Sequence, residues 1–370
     1  MQIEDFYQII QHYDDFDISG FIDNTRPDDV ARVLSKSAID ESDFLKLLSP
    51  AAENYLEEIA QKAQQLTWQN FGKVIVLYAP LYLSNFCDND CLYCGFQKNN
   101  QIIRKKLSLQ EVNEEARAIS ESGIRHILVL TGGSRQLSPL EYILECLEVL
   151  KKYFSSISIE IYPLETDEYR RFFKLGVDGV TVYQETYDRQ LYSKLHSKGP
   201  KSDYLYRLDT PERAAKAGMR SISIGALLGL GKFYNDVFFT GMHARYLQDK
   251  YLEAELSVSL PRIKPQVGDF KPLFNVMDKD FVRAMLALRI FLPRVGINIS
   301  TREGAGLRSN LIGLGVTRMS AGSKTEVGGY SSGNHSEGQF EIEDKSSVED
   351  IKHMILEKGH QPVFKDWQML

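Results

Sequence analysis

The sequence predicts an α/β fold: a TIM-type (β/α)8 barrel of parallel strands, with a helical N-terminal extension and a C-terminal helical tail. Three observations predict it. From Val74 onward, short apolar runs alternate with amphipathic segments, and eight such runs can be counted. The polar and glycine exceptions fall at or just past the ends of those runs, which share one face in a parallel barrel. Finally, 370 residues at 43% hydrophobic and 25% charged supply enough apolar side chains for one large core.

Residues 1–70 read as polar helices with no Gly/Pro/Ser linker after them, so they form an extension wrapped on a barrel of residues 71–325. Residues 326–370 form a tail packing on that barrel. The first strand, 74–79, leads into a cysteine loop. A helix then starts at Ser108-Leu109-Gln110-Glu111, a capping box, and stops near Gly123. Strand 126–130 precedes Thr131-Gly132-Gly133-Ser134 and a helix from about Pro139 to Tyr153. The third strand is 157–161, and the helix after it ends at Gly176. The fourth is 179–183. Thr210 as N-cap and Pro211 at the first position open a further helix, which Gly218 closes. Strand 221–224 runs into a glycine-rich turn, Gly225 to Gly231. The last three strands, 254–260, 297–300 and 316–319, lead into Pro261-Arg262, Thr301-Arg302-Glu303 and Ser320. The tail is glycine-rich from Gly328 and helical from about Val348.

The net charge of -6 argues against a nucleic-acid surface. No run approaches the ~18 apolar residues of a membrane span. The start, Met1-Gln2-Ile3-Glu4-Asp5, lacks the basic and apolar regions of a signal peptide. A cytoplasmic protein with neither nucleic-acid nor membrane partners is expected.

Cys87, Cys91 and Cys94 form a C-x3-C-x2-C run, and Cys146 is the one other cysteine. A tetrahedral zinc site or a fully protein-ligated cubane calls for a fourth ligand. Cys146 sits inside a helical apolar pattern and reads as core. The economical reading is a cubane on three cysteines, with one iron open to a non-protein ligand. A zinc ribbon would need a second knuckle, and a disulfide would leave one crowded thiol over.

Other strand ends carry chemistry too. Gly132 and Gly133 let backbone approach a ligand closely, with a plain tight turn as the alternative. Glu160 interrupts an apolar strand and alternates away from Ile159 and Ile161, into the barrel, where it needs a ligand or an interior arginine. Arg302 and Arg262 stand at the barrel mouth, and a guanidinium there suits a substrate carboxylate. The seven histidines (His12, His126, His196, His243, His335, His353 and His360) form no metal-binding pair and receive no catalytic role.

With aromatic Tyr93 just before its last cysteine, the run resembles the signature of the radical S-adenosylmethionine enzymes. Pro80-Leu81-Tyr82-Leu83-Ser84-Asn85 ahead of it and Thr181-Val182-Tyr183-Gln184-Glu185-Thr186-Tyr187 resemble the aromatic amino-acid lyase branch. So do Ser300-Thr301-Arg302-Glu303, Ser323-Lys324-Thr325 with Gly328-Gly329-Tyr330, and the ending from Gln361 to Trp367. The match runs from about residue 70 onward, and this stretch is similar to the tyrosine lyases of thiamine thiazole formation.

This resemblance implies a 4Fe-4S cluster on Cys87, Cys91 and Cys94, with S-adenosylmethionine on the open iron. It implies cofactor contacts from Tyr93, Gly132, Gly133, Glu160, Gln184, Glu185, Arg207 and Gly225. Gly132 and Gly133 would meet the methionyl amino group and Arg207 the methionyl carboxylate. Gln184 and Glu185 would lie near the ribose, and the Gly225 turn near adenine. Ser134 stands where the family usually has glutamate. Arg302, Ser320 and Glu303 would serve the substrate, with Arg302 on its carboxylate.

The implied reaction is radical cleavage of L-tyrosine to 2-iminoacetate and p-cresol, with S-adenosylmethionine cleaved to methionine and 5′-deoxyadenosine. The implied partners are a flavodoxin- or ferredoxin-type reductant and the thiazole synthase that uses the imine. A hydrogenase-maturation tyrosine lyase would carry a second cluster, yet no cysteine follows Cys146. A tryptophan lyase shares the motifs. A non-catalytic iron–sulfur carrier or zinc scaffold leaves Gly132, Gly133, Arg207 and Arg302 without a purpose.

Overall fold

The apolar runs pair into eight parallel strands that close on themselves. The computed structural model describes residues 5–331 and 336–365. Its strands are β1 Val74–Ser84, β2 His126–Thr131, β3 Ser156–Glu160, β4 Gly179–Glu185, β5 Ser221–Ala226, β6 Glu255–Ser259, β7 Gly296–Ile299 and β8 Arg318–Ser320. Each pairs in parallel with the next, and β1 pairs with both β2 and β8, which closes the barrel. β5 is buried at every residue, as expected for a strand covered by helices outside and by the barrel interior inside. The Ser108 capping box forms as its spacing requires, and Gly176 ends helix Thr166–Leu175 with φ 106°.

Three features depart from the sequence expectation. β1 does not stop at Ala79 but runs through Pro80 to Ser84, because successive parts of it serve different neighbours. Residues 76–78 face β8 and residues 79–84 face β2. Thr210 does not cap its helix; its hydroxyl turns back to the Tyr206 carbonyl at 2.9 Å, since helix Tyr204–Leu208 abuts helix Thr210–Lys216. The tail is not purely helical. After helix Val348–Glu357 and a turn at Gly359, β9 (Gln361–Val363) pairs with Val74–Val76 of β1. Pro362 is tolerated there because β9 is an edge strand.

The N-terminal helices share one continuous apolar core with the barrel. Helices Glu41–Leu48 and Leu56–Phe71 pack on helix Asp278–Phe291, where Phe44 stacks on Phe291 at 4.5 Å. Fully buried Arg283 ties the two parts together by bonding Glu53 at 2.8 Å and Asp280 at 2.7 Å. The tail is tied in the same way: buried Arg308 pairs with Asp344 and donates to the Ser320 carbonyl.

Between Ser336 and Asp344 the tail lies across the C-terminal mouth of the barrel. It bonds the loops after β1, β6, β7 and β8 through Gly95 N–Gln339 O (3.1 Å), Glu341 N–Pro265 O (2.8 Å), Glu343 N–Thr301 O (3.0 Å) and Gln339 N–Thr325 O (3.1 Å). Residues 332–335, with His335, and Asp366 and Trp367 of the C-terminal motif lie outside the described residues. Among the described residues, no helix is long and apolar enough to cross a membrane.

Candidate active site

Beneath that crossing segment the barrel mouth encloses a cavity with about 1480 Å³ of non-atom space, its opening included. Cys87, Cys91, Cys94, Tyr93, Gly132, Gly133, Glu160, Glu185, Arg207, Arg302 and Ser320 all line it. Alternation along β1 turns Tyr78, Pro80 and Tyr82 into the same space.

Close backbone approach shapes the cysteine loop. A Cβ at Gly132 would lie 2.3 Å from the Phe86 carbonyl oxygen, and one at Gly133 would lie 2.4 Å from Asn89 Nδ2. Both glycines therefore first make room for the loop itself. The segment after helix Arg189–Leu195 braces its other side: Asp90 accepts from Ser197 Oγ at 2.9 Å and from Lys198 N at 2.8 Å. The Tyr93 hydroxyl donates to His196 Nε2 at 2.7 Å, because His196 Nδ1 spends its proton on the Tyr192 carbonyl at 2.8 Å. Burial, helped by the Lys201 charge, lowers the His196 imidazole to about 3, so it stays neutral.

Burial pushes the Cys91 thiol up to about 12 and raises Cys94, with the neighbouring thiols adding to both shifts. A bound metal reverses that preference through its own charge. Among the described residues, no three His, Cys, Asp or Glu side chains are grouped to hold a single metal ion. Cys146 is buried in helix Leu140–Leu150 and does not line the cavity. Three thiols lining one cavity, with no fourth cysteine in its lining, fit a cluster held by three cysteines better than a four-ligand zinc tetrahedron.

β4 is irregular where it meets the cavity. Its register with β5 shifts between Tyr183 and Glu185, and Glu185 has φ 72°, alone in that region among the described non-glycine residues. Such a backbone costs about 1–3 kcal/mol and persists where the surroundings over-determine it. Here the surroundings are two cations: Lys201 Nζ lies 2.5 Å and Arg207 Nη2 3.4 Å from Glu185 Oε1. Burial alone would raise the Glu185 pKa, but Lys201 and Arg207 hold it below the usual carboxylate range. Arg207 is oriented by a 2.7 Å bond from Nε to the Tyr183 carbonyl. Among the described residues Glu160 has no such close partner, and burial, reinforced by the Glu185 charge, pushes it up to about 7.

The two rim arginines differ in kind. Arg262 is committed, bonding Glu303 through Nε at 3.0 Å and Asp278 through Nη1 at 2.7 Å. Among the described residues Arg302 has no ion-pair partner. It reaches only the Arg262 carbonyl, at 3.4 Å, and its guanidinium lies 3.3 Å from the centroid of the Phe340 ring. Burial lowers the Arg302 pKa. A buried guanidinium without a counter-ion is a strong anion site. Ser320 Oγ, beside it in the lining, accepts from Thr301 N at 3.1 Å.

Gln184, Glu303, Gly225 and the rim residue Arg262, all singled out from the sequence, do not line the cavity. Alternation that turns Tyr183 and Glu185 inward sends Gln184 to the other face, where both its amide atoms are buried without a hydrogen-bond partner among the described residues. Glu303, 2% exposed, serves to fix Arg262. Gly225 is required by its neighbours: a Cβ there would sit 1.9 Å from the Ser259 carbonyl oxygen of β6.

Residues 81–240 match the family model of the Radical SAM superfamily, and residues 259–361 match the Biotin and Thiamin Synthesis associated domain. The chain is 40% identical to 2-iminoacetate synthase of Escherichia coli, covering 92% of this chain and 90% of that protein. The Salmonella typhimurium 2-iminoacetate synthase is 39% identical over the same shares. The chain belongs to the 2-iminoacetate synthase family.

Among solved structures it superimposes on HydG, a maturase of the [FeFe]-hydrogenase, with a TM-score of 0.89 at 30% identity, covering 94% of this chain and 79% of that one. The Carboxydothermus hydrogenoformans HydG gives 0.84 at 33% identity over 98% and 83%. Membership of the 2-iminoacetate synthase family implies a 4Fe-4S cluster, S-adenosylmethionine and a reductant, and the donor set described above fits that cluster.

Several cavity residues of this 2-iminoacetate synthase family member carry no sequence signal. Lys201, Gln339 and Phe340 reach the cavity from loops with no motif around them, and Asn89 occupies an unspecified position within the cysteine run. Tyr82 lies past the end of the strand expected from the sequence, within the Pro80–Asn85 segment that carries the resemblance, and its inward register on the longer β1 gives it a place in the site.

Proposed function

We propose that this chain cleaves the Cα–Cβ bond of L-tyrosine to give 2-iminoacetate and p-cresol, supplying the thiazole moiety of thiamine. The observation that carries the reading is the meeting, in one covered cavity, of three cysteines and an Arg302 that has no ion pair among the described residues. The 40% identity to a curated 2-iminoacetate synthase supports it. When bound, a 4Fe-4S cluster on Cys87, Cys91 and Cys94, with S-adenosylmethionine, supplies one-electron cleavage to methionine and a 5′-deoxyadenosyl radical.

The protein's own residues do the rest. Arg302 forks onto the tyrosine carboxylate while the Phe340 face limits its rotation, and Ser320 assists. Arg207 takes the methionyl carboxylate, and Tyr93, Gly132, Gly133 and Glu185 border the cofactor. Residues 336–344 cover the mouth and keep water from a reactive primary radical. A flavodoxin- or ferredoxin-type protein supplies the electron in the cytoplasm, and thiazole synthase receives the imine.

Reduced, cluster-loaded protein incubated with S-adenosylmethionine and tyrosine is expected to release p-cresol and 5′-deoxyadenosine, read by chromatography. Tryptophan in place of tyrosine should yield neither. Product from tryptophan alone would reassign the enzyme as a tryptophan lyase. No product from either, in protein with full iron and sulfide, would refute the lyase reading.

Glu160 adds a pH dependence. Its folded value near 7 lies above the ordinary 4.5, so the carboxyl is largely protonated below pH 7 and ionised above it. Only the ionised form attracts the cationic groups of S-adenosylmethionine. Affinity for the cofactor should therefore rise as the pH is taken from ~6 to ~8, approaching tenfold per unit on the acid side. Equilibrium dialysis against cluster-loaded protein measures it, and Glu160→Gln should flatten the profile. An identical slope in the variant would remove Glu160 from cofactor binding.

A further inference from the structure

We infer that two side-chain carboxamides from distant parts of the chain, Asn89 and Gln339, set the reduction potential of the cluster by hydrogen bonding to two of its three thiolate ligands. The inference rests on the reading that Cys87, Cys91 and Cys94 hold a cluster. Asn89 Nδ2 lies 3.5 Å from Cys87 Sγ, and Gln339 Nε2 lies 3.6 Å from Cys94 Sγ.

The orientation of each amide follows from its other partner. The Lys201 backbone N–H can only donate, and it meets Asn89 Oδ1 at 2.7 Å, so Nδ2 must face the sulfur. The Tyr82 hydroxyl donates to Gln339 Oε1 at 2.8 Å and turns that Nε2 toward Cys94.

The surrounding backbone is built to admit both groups. A Cβ at Gly133 would sit 2.4 Å from Asn89 Nδ2, and one at Gly199 would sit 2.6 Å from its Oδ1. Gly199 also has φ 93°, so a side chain there is disfavoured twice. Gly95, next to Cys94, is matched to Gln339: a Cβ there would lie 2.5 Å from the Gln339 carbonyl oxygen, and its N–H bonds that oxygen at 3.1 Å. Four glycine-lined or backbone-fixed contacts thus hold two donors against two sulfurs in a buried site.

Reduction adds negative charge to the cluster and its sulfurs. An N–H dipole aimed at a ligating sulfur favours the reduced state, and hydrogen bonds to sulfur are among the factors that set such potentials. Gln339 belongs to the segment that covers the barrel mouth, anchored to Thr325 and Gly95. The potential therefore depends on whether that segment is seated, and electron entry is linked to closure of the site.

The test is an EPR-monitored redox titration of cluster-loaded protein without S-adenosylmethionine. Gln339→Met removes one donor at similar size. Asn89→Leu removes the other at similar size and adds no charge. Each variant should keep the wild-type iron and sulfide content and EPR line shape. At a fixed potential each should show about tenfold less reduced cluster, a midpoint lowered by ~59 mV for one electron.

The double variant should shift by about the sum, because the two bonds reach different ligands. Tyr82→Phe, which leaves the cysteines and both carboxamides in place and frees the Gln339 amide, should shift the midpoint in the same direction by less. An unchanged midpoint in Gln339→Met and Tyr82→Phe with a full cluster would overturn the inference. A variant that loses iron would overturn it for that residue and assign it to assembly. Wild-type protein without any iron–sulfur spectrum would instead refute the cluster itself, so the two failures are distinguishable.

Discussion

Cys91→Ser is expected to abolish both p-cresol and 5′-deoxyadenosine formation, a loss to below detection, along with most of the bound iron and sulfide. The reason is the donor count. The cavity offers three thiols, and Cys146 is walled off in helix Leu140–Leu150, so no spare cysteine can take the vacated position. Cys91 is also the most deeply buried of the three, at 4% exposure. A serine hydroxyl there is far harder to ionise than a thiol and a poorer ligand for iron. Iron and sulfide analysis after anaerobic reconstitution, with near-ultraviolet absorbance, measures the first effect, and chromatography the second. Retention of a full cluster with normal turnover would show that the cysteine run is not the metal site. The fold should survive, because the side chain leaves its surroundings nearly unchanged in volume and the barrel core lies beneath it.

Arg302→Lys should raise the KM for tyrosine and lower kcat/KM by ten- to a hundredfold, while leaving iron content and cofactor binding intact. A charge-assisted, forked hydrogen bond contributes about 1.5–3 kcal/mol, and a lysine keeps the charge but loses the fork and the flat face. The stacking on Phe340 at 3.3 Å makes the planar group matter, since an ammonium cannot lie on the ring in the same way. Steady-state kinetics with tyrosine, beside a binding measurement with S-adenosylmethionine, separates the two effects. Equal loss of cluster and of tyrosine affinity would mean that Arg302 is structural. Arg262→Lys provides the contrast. Its partners are Glu303 and Asp278, so the change should alter stability and leave the tyrosine KM nearly unmoved.

Much of the architecture was legible because it is written in short-range pattern. The eight apolar runs, the Ser108 capping box and Gly176 each act within a few residues, and each forms its expected element, with β1 running on past Ala79. The C-x3-C-x2-C run is equally local, and its thiols share one cavity because one loop carries them. Period-two alternation also contained a warning: Gln184 and Glu185 cannot both face inward from one strand, and it is Glu185 that does. The run through Pro80 was missed because a proline usually ends a strand, yet β1 continues and the Pro80 carbonyl accepts from the Tyr330 hydroxyl at 2.8 Å.

What the sequence by itself determined was the barrel, the cysteine loop and the face on which chemistry collects, all consequences of spacing along a few residues. Tertiary structure alone decided which of two similar arginines is available. Glu303 and Asp278 neutralise Arg262, while the tail lays Phe340 and not a carboxylate against Arg302. It also decided that Gln339, 245 residues away from Cys94 in the chain, comes to rest beside that sulfur. Charge pairing and closure of the mouth depend on which loops the barrel brings together. That meeting is set by the packing of the whole chain, and no window of neighbouring residues contains it.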